Sequence, residues 1–256
     1  MLNLIKSEVL KTRSTQVWLW MILPAVALTA LASIGLAYDL QNNYHHGIPD
    51  LNYYGLFTAS QNGGVALLVI GILGLTTEFR HKTITPTLLA TPARWNLLAG
   101  KCVSYAIFSV FYAVICLIVN FAIAIIWLKA SHVPLEIGQH GIWPGVLKAF
   151  LSLILTALFG LGLGALVRNQ AAAMVIGIFY FSIIDGLLSV IPWERRVIYK
   201  FTPAANLNAF ISNGHHTQGP SDVHLFAPLI GGVVFLAWTI AILAAGGALS
   251  LNRDIS

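Results

Sequence analysis

Residues 77–101, TEFRHKTITPTLLATPARWNLLAGK, carry four of the chain's fourteen Lys and Arg between two long apolar runs. A charged, helix-capable connection in that position has to work in water against something else. The apolar runs on either side decide the fold. Apolar residues make up 57% of the 256 and charged residues only 9%, with a mean hydropathy of +0.80. No water-soluble domain of this size presents that balance without aggregating, so the composition is that of a polytopic membrane protein.

Apolar stretches of about 20 residues cross a hydrocarbon core of roughly 30 Å as helices. Working outward from residues 77–101, six such stretches are expected, at 17–37, 54–77, 102–128, 146–167, 171–191 and 228–251. The expected fold class is therefore all-α, with residues 1–256 forming a single transmembrane domain. The first apolar run is too long for a cleavable signal peptide and lacks a small-residue cleavage site, so it is expected to stay as a helix.

Orientation follows from the short loops. With the N-terminus inside, nine cations (Lys6, Lys11, Arg13, Arg80, Lys82, Arg94, Lys101, Arg168 and Arg253) fall on the inner side and five (Lys129, Lys148, Arg195, Arg196 and Lys200) on the outer. Both termini are then expected in the cytoplasm. The net charge of +5 reads as this topogenic bias, and no nucleic-acid partner is inferred from it. Ahead of the first span, Leu2, Ile5 and Val9 recur at helical spacing while Lys6, Glu8, Lys11 and Arg13 take the other face. That pattern fits an amphipathic helix lying along the inner interface; a frayed basic N-terminus that only sets topology is the plainer reading.

Within residues 77–101, Thr85 and Pro86 fit a helix start, because a threonine hydroxyl caps free N–H groups and proline suits the first helical position. Pro92 disfavours helical geometry at Thr91 and ends the helix within about two turns. The outcome is a short helix over 86–91 with Leu88 and Leu89 as apolar anchors. Glu78, Arg80, His81 and Lys82 bracket it on one side, Arg94 and Lys101 on the other. An apolar knob ringed by charge suits a partner's groove; a basic loop with interfacial leucines would look the same by periodicity alone.

In their order and placement, Glu78, Thr83, Leu88, Pro92, Arg94 and Lys101 resemble the first cytoplasmic loop of the membrane subunits of type-two ATP-binding cassette exporters, bacterial multidrug and antibiotic efflux permeases among them. The resemblance extends to an N-terminal interfacial helix, six spans, and an outer re-entrant region between spans five and six. Lys82 departs from it, standing where relatives often carry glycine. The resemblance implies a bacterial inner-membrane permease whose loop helix is a coupling helix, with Glu78, Arg80, Thr83, Pro86, Leu88, Leu89, Pro92 and Arg94 meeting a separate cytoplasmic ATPase. It implies two such ATPase subunits, a second permease copy or homologue, and ATP and Mg bound on the ATPase rather than on this chain. Cargo would be hydrophobic or amphipathic: a drug, an antibiotic, a lipid-like compound or a peptide.

A phosphate-cradling loop needs G-x-x-x-x-G-K-[ST]. Its nearest approach here, at Gly100 and Lys101, has Trp95 in place of the first glycine and Cys102 in place of the hydroxyl residue. By that route the chain cannot bind ATP, so any drive is expected from a partner. The Glu-Ala-Ala signature of importer-type permeases is not found either, which favours export.

Polar residues inside the spans are candidates for a substrate path: Gln61, Asn62, Asn120 and Asp185. Asp185 lies 14 residues past Ala171, about 21 Å into the fifth span, where a carboxylate is costly unless it faces protein or water. It either draws amphipathic cations or pairs with Arg195 or Arg196. Residues 193–227 resemble the family's outer half-helices; an ordinary soluble loop is the alternative. Seven of eight histidines fall on the outer side, but their spacings match no metal site. His45 and Asp50 have the H-x-x-x-x-D spacing of some acyltransferases, a pattern common by chance and on the wrong side for cytoplasmic acyl donors.

Cys102 and Cys116 lie some 21 Å apart along one helix, too far to bridge, and read as core residues. Gly160 with Gly164, and Ala241 with Ala245, have small-xxx-small spacing, suited to close packing within the subunit or across a dimer. A non-transporting sensor or immunity protein with the same ATPase is a second reading. A membrane-embedded enzyme is a third, and would need a clustered polar site that the sequence does not offer.

Overall fold

The structure is a computed structural model, and it describes residues 10, 17–48, 51–81, 94–138, 141–184, 187, 199–212 and 225–252. The described residues are helical, with no strand among them. The chain opens with α1 (Val17–Trp20) and α2 (Ile22–His45), then α3 (Tyr53–Thr58), a 3-10 turn (Ala59–Gly63) and α4 (Gly64–Arg80). There follow α5 (Arg94–Ala130), α6 (Ile142–Val167), α7 (Gln170–Phe179) with a π-helical turn (Tyr180–Ile184), a 3-10 turn (Tyr199–Phe201), α8 (Pro203–Ile211) and α9 (Pro228–Asn252).

Five helical stretches among the described residues are long and apolar enough to cross a membrane: Trp18–His45, Tyr53–Arg80, Leu97–Ala130, Ile142–Val167 and Pro228–Leu249. The fifth expected span, 171–191, is described only over residues 171–184 and at residue 187. Its described part holds ten α-helical residues and a five-residue π turn, roughly 22 Å at helical rise. Residues 185–186 and 188–198, including Asp185, lie outside the described residues, as do residues 1–9 and 11–16, where the interfacial helix was expected.

Observed helices outrun the apolar runs. Helix α5 is 37 residues long, about 55 Å against a core of roughly 30 Å. It begins at Arg94 instead of 102, because Arg94, Leu97, Leu98 and Lys101 are all good helix formers although two of them are charged.

Close approach of α4 and α6 is what makes the centre of the bundle. A Cβ at Gly71 would fall 1.9 Å from the Ala157 carbonyl oxygen, and one at Gly160 would fall 2.2 Å from that of Leu68. Gly164 likewise faces Ile72. The Gly160 and Gly164 face is therefore spent inside the subunit, where van der Waals contact replaces the hydrophobic drive that lipid cannot supply. Helix α9 docks on α6 through Gly246, whose added Cβ would sit 2.9 Å from the Gly162 carbonyl oxygen, while Ala241 and Ala245 are exposed. Phe159 stacks on Phe235 at 5.7 Å between the same two helices.

The second span is broken in mid-course by the 3-10 turn, and neighbouring helices supply the missing hydrogen bonds. Asn120 Nδ2 donates to the Phe57 carbonyl at 2.9 Å, and Ser33 Oγ donates to Asn120 Oδ1 at 2.7 Å. Thr29 Oγ1 reaches the Ser60 carbonyl at 3.5 Å. Irregular backbone at membrane depth persists only where such partners exist.

Candidate functional site

The described helix ends that flank residues 82–93 are α4 and α5, and their roots meet inside the protein. Glu78 lies on the buried face of α4, one and two turns beyond Gly74 and Gly71, where the helix has no room to face water. Its Oε1 is 2.9 Å from Lys101 Nζ, and both side chains are 3% exposed or less. Lys101 Nζ also points at the Gly74 carbonyl at 3.5 Å. Tyr105, one turn further along α5, covers Gly74 so closely that a Cβ there would fall 2.3 Å from its ring.

Removing two charges from water is costly, and their mutual attraction offsets it only when geometry is good and no other partner can intrude. Here the pair fixes the angle between the helices leading into and out of residues 82–93. Glu78 and Lys101, expected to stand in the charged ring around the short helix, instead point inward between α4 and α5. Glu78 falls at i+4 from Gly74 and i+7 from Gly71 and so shares their face, but only the fold shows that this face is packed.

Around this pair the same end of the bundle is tied to the other helices. Arg80, which is exposed, donates to Gln170 Oε1 at 3.3 Å, joining α4 to α7. Arg168, between α6 and α7, donates to the Leu249 carbonyl of α9 and lies over the Phe79 ring at 5.9 Å. It does so from a left-handed backbone, φ 57°. Gly247 lets the end of α9 close on Leu98 and Trp95 of α5. Sequence reasoning missed Arg168 as a tie, since it reads there only as a topogenic charge.

Of the expected ATPase-coupling residues, Thr83, Pro86, Leu88, Leu89 and Pro92 lie outside the described residues, and so does the Arg94 side chain. Of the expected path residues, Asn120 is fully buried with both ends of its amide engaged. Gln61 is half-buried and Asn62 exposed, its Nδ2 donating to the Ala59 carbonyl at 3.0 Å. All three belong to the break in the second span; Asp185 is not described. Cys116 is buried in the core and Cys102 partly so, both as free thiols. Among the described residues no three His, Cys, Asp or Glu come together in a way that could hold a metal.

No protein-family model matches the chain, and the comparison with curated proteins returns no match.

Proposed function

We propose that the chain is the permease subunit of an ATP-driven exporter of the type-two ATP-binding cassette kind. The observation that carries the reading is the Glu78–Lys101 pair at 2.9 Å, because it makes one stiff unit of the two helices that leave and re-enter the bundle around residues 82–93. A push on that segment moves α4 and α5 together, and through Gly71 and Gly160 it moves α6. Residues 82–93 act as the coupling helix in the cleft of a cytoplasmic ATPase, with Arg80 and Arg94 at its rim.

In this reading two ATPase subunits carry ATP and Mg, two permease subunits form the path, and the termini lie in the cytoplasm of a bacterial inner membrane. Helix α7 and the residues after it complete a sixth span, and α8 is one of the outer re-entrant half-helices. The cargo is a hydrophobic or amphipathic compound that passes between subunits. Asp185 is the acidic group on the path.

The test is to seek a neighbouring reading frame that encodes a protein with G-x-x-x-x-G-K-[ST] and to reconstitute that protein with this chain, comparing native protein with Arg94→Glu. Charge reversal is expected to weaken co-purification or to uncouple ATP turnover from vesicle transport. Unchanged affinity and unchanged coupled turnover, or cargo movement by the purified chain without any ATPase, would overturn the proposal.

A further inference from the structure

At the end of the bundle away from Glu78, the short 3-10 turn Tyr199–Phe201 carries Lys200 alongside the last span. A Cβ at Gly231 would fall 2.8 Å from Ala209 Cβ, and one at Gly232 would fall 2.5 Å from the Phe210 ring. Further down α9, Trp238 Nε1 donates to the Phe201 carbonyl at 2.9 Å. Helix α8 thus runs antiparallel to the start of α9, and the turn Tyr199–Phe201 sits between the levels of Phe226, whose ring is 5.7 Å from that of Phe201, and Trp238. Trp238 is about 15 Å along the helix from Pro228.

Every carbonyl of this turn is taken by a side chain. Thr202 Oγ1 donates to Tyr199 O at 2.9 Å, Asn206 Nδ2 to Lys200 O at 2.9 Å, and Trp238 to Phe201 O. Asn206 is fully buried, so the backbone that carries Lys200 is held in place. Its ammonium lies 5.1 Å from the centre of the Phe201 ring, and among the described residues no carboxylate pairs with it. The N-terminus of α8, capped by Thr202 and begun by Pro203, adds partial positive charge at the same place. Beside it Phe201 is 53% exposed, and Ile230, Val234 and Trp238 follow at i, i+4 and i+8 along one face of α9, with Ile230 and Trp238 exposed.

We propose that this turn binds the headgroup of an anionic membrane lipid, with Lys200 meeting the phosphate and the strip Phe201, Trp238 and Ile230 taking the acyl chain. A cation set in an aromatic, apolar surface between the levels of Phe226 and Trp238 extends along its apolar stem toward the near boundary, where it selects for net negative headgroups, since a choline lipid brings its own cation. The site rests on these helices crossing a bilayer and not on the ATPase, so a failed transport assay leaves it standing.

The experiment places the full chain in phosphatidylcholine vesicles doped with brominated phosphatidylglycerol or, at equal fraction, brominated phosphatidylcholine. Tryptophan quenching is read with Trp238→Phe as the subtraction control. The Trp238 component is expected to report about fivefold higher local occupancy for the anionic lipid, the preference one interfacial lysine supplies. Lys200→Gln should remove the preference and Lys200→Arg keep it. In the native protein, high salt should erase it without any mutation. Equal quenching by the two lipids, a preference that survives Lys200→Gln or high salt, or its abolition by inorganic phosphate alone would overturn the assignment.

Discussion

Lys101 meets Glu78 between α4 and α5, Nζ to Oε1 at 2.9 Å, in a setting from which water is shut out on the sides described by Gly74 and Tyr105. Cutting one partner from such a pair leaves a buried charge, which costs on the order of 3–5 kcal/mol, whereas replacing both by apolar groups can be neutral. Glu78→Met and Lys101→Met are each expected to lower the midpoint of thermal unfolding in detergent, and Glu78→Met/Lys101→Met to recover much of the loss. Additive losses in the double variant would show that the two side chains are not a unit.

The α4–α6 contact predicts a steep dependence on side-chain size. Gly160→Ala adds one methyl where the Leu68 carbonyl oxygen is 2.2 Å away. Backbone cannot yield as a flexible side chain does, so overpacking is expected to cost about 1–3 kcal/mol. Ala241→Leu, on the exposed face of α9, should cost little. The comparison is read as yield of folded protein and unfolding midpoint; equal tolerance at both positions would contradict the packing described.

Asn120 predicts a different signature, because it bonds two other helices instead of filling space. Asn120→Leu is nearly isosteric but takes the amide donor from the Phe57 carbonyl, while the Ser33 hydroxyl turns to the Thr29 carbonyl. A stranded buried group costs about 1–3 kcal/mol. Asn120→Asp keeps an acceptor for Ser33 and loses the donor to Phe57, so it should also destabilise the break at Ala59–Gly63. Hydrogen exchange of the amides around that turn should rise in both variants. Unaltered protection there would remove Asn120 from its assigned role.

Much of the architecture was legible, for physical reasons that also explain where reading stopped. Apolar length marks a span because backbone in hydrocarbon must bond to itself; six spans are expected on that ground, and five are described as helices long enough to cross. Helix ends are less legible, since α5 extends through Arg94 and Lys101 on helix propensity that a hydropathy count ignores. Thr202 and Pro203 start α8 with the same cap and first-turn proline that Thr85 and Pro86 suggest for the short helix at 86–91, so this element could have been found. The Glu78–Lys101 pair could not, because sequence shows two charges near water and not the packed face that turns each inward. Gln61, Asn62 and Asn120 announced polarity at depth, but only the fold shows Asn120 bonded to the helix break beside Gln61 and Asn62.

Arg168 sets two effects against each other. Its left-handed backbone, φ 57°, costs a non-glycine residue roughly 1–2 kcal/mol that glycine would not incur. Its guanidinium donates to the Leu249 carbonyl and lies over Phe79, contacts worth about 1.5–3 kcal/mol for a charged hydrogen bond at most and about 0.5–1 kcal/mol for an exposed cation over an aromatic ring. Because the site is exposed, the ionic part falls toward the lower end, yet the two contacts together still outweigh the backbone gain. Arg168→Gly is therefore expected to lower the unfolding midpoint modestly and to loosen the C-terminal end of α9, seen as faster proteolysis near Leu249. Arg168→Lys keeps the charge and the backbone cost but loses the planar fork, and should fall between the two. A glycine variant more stable than the native protein would mean that the tie to α9 contributes nothing.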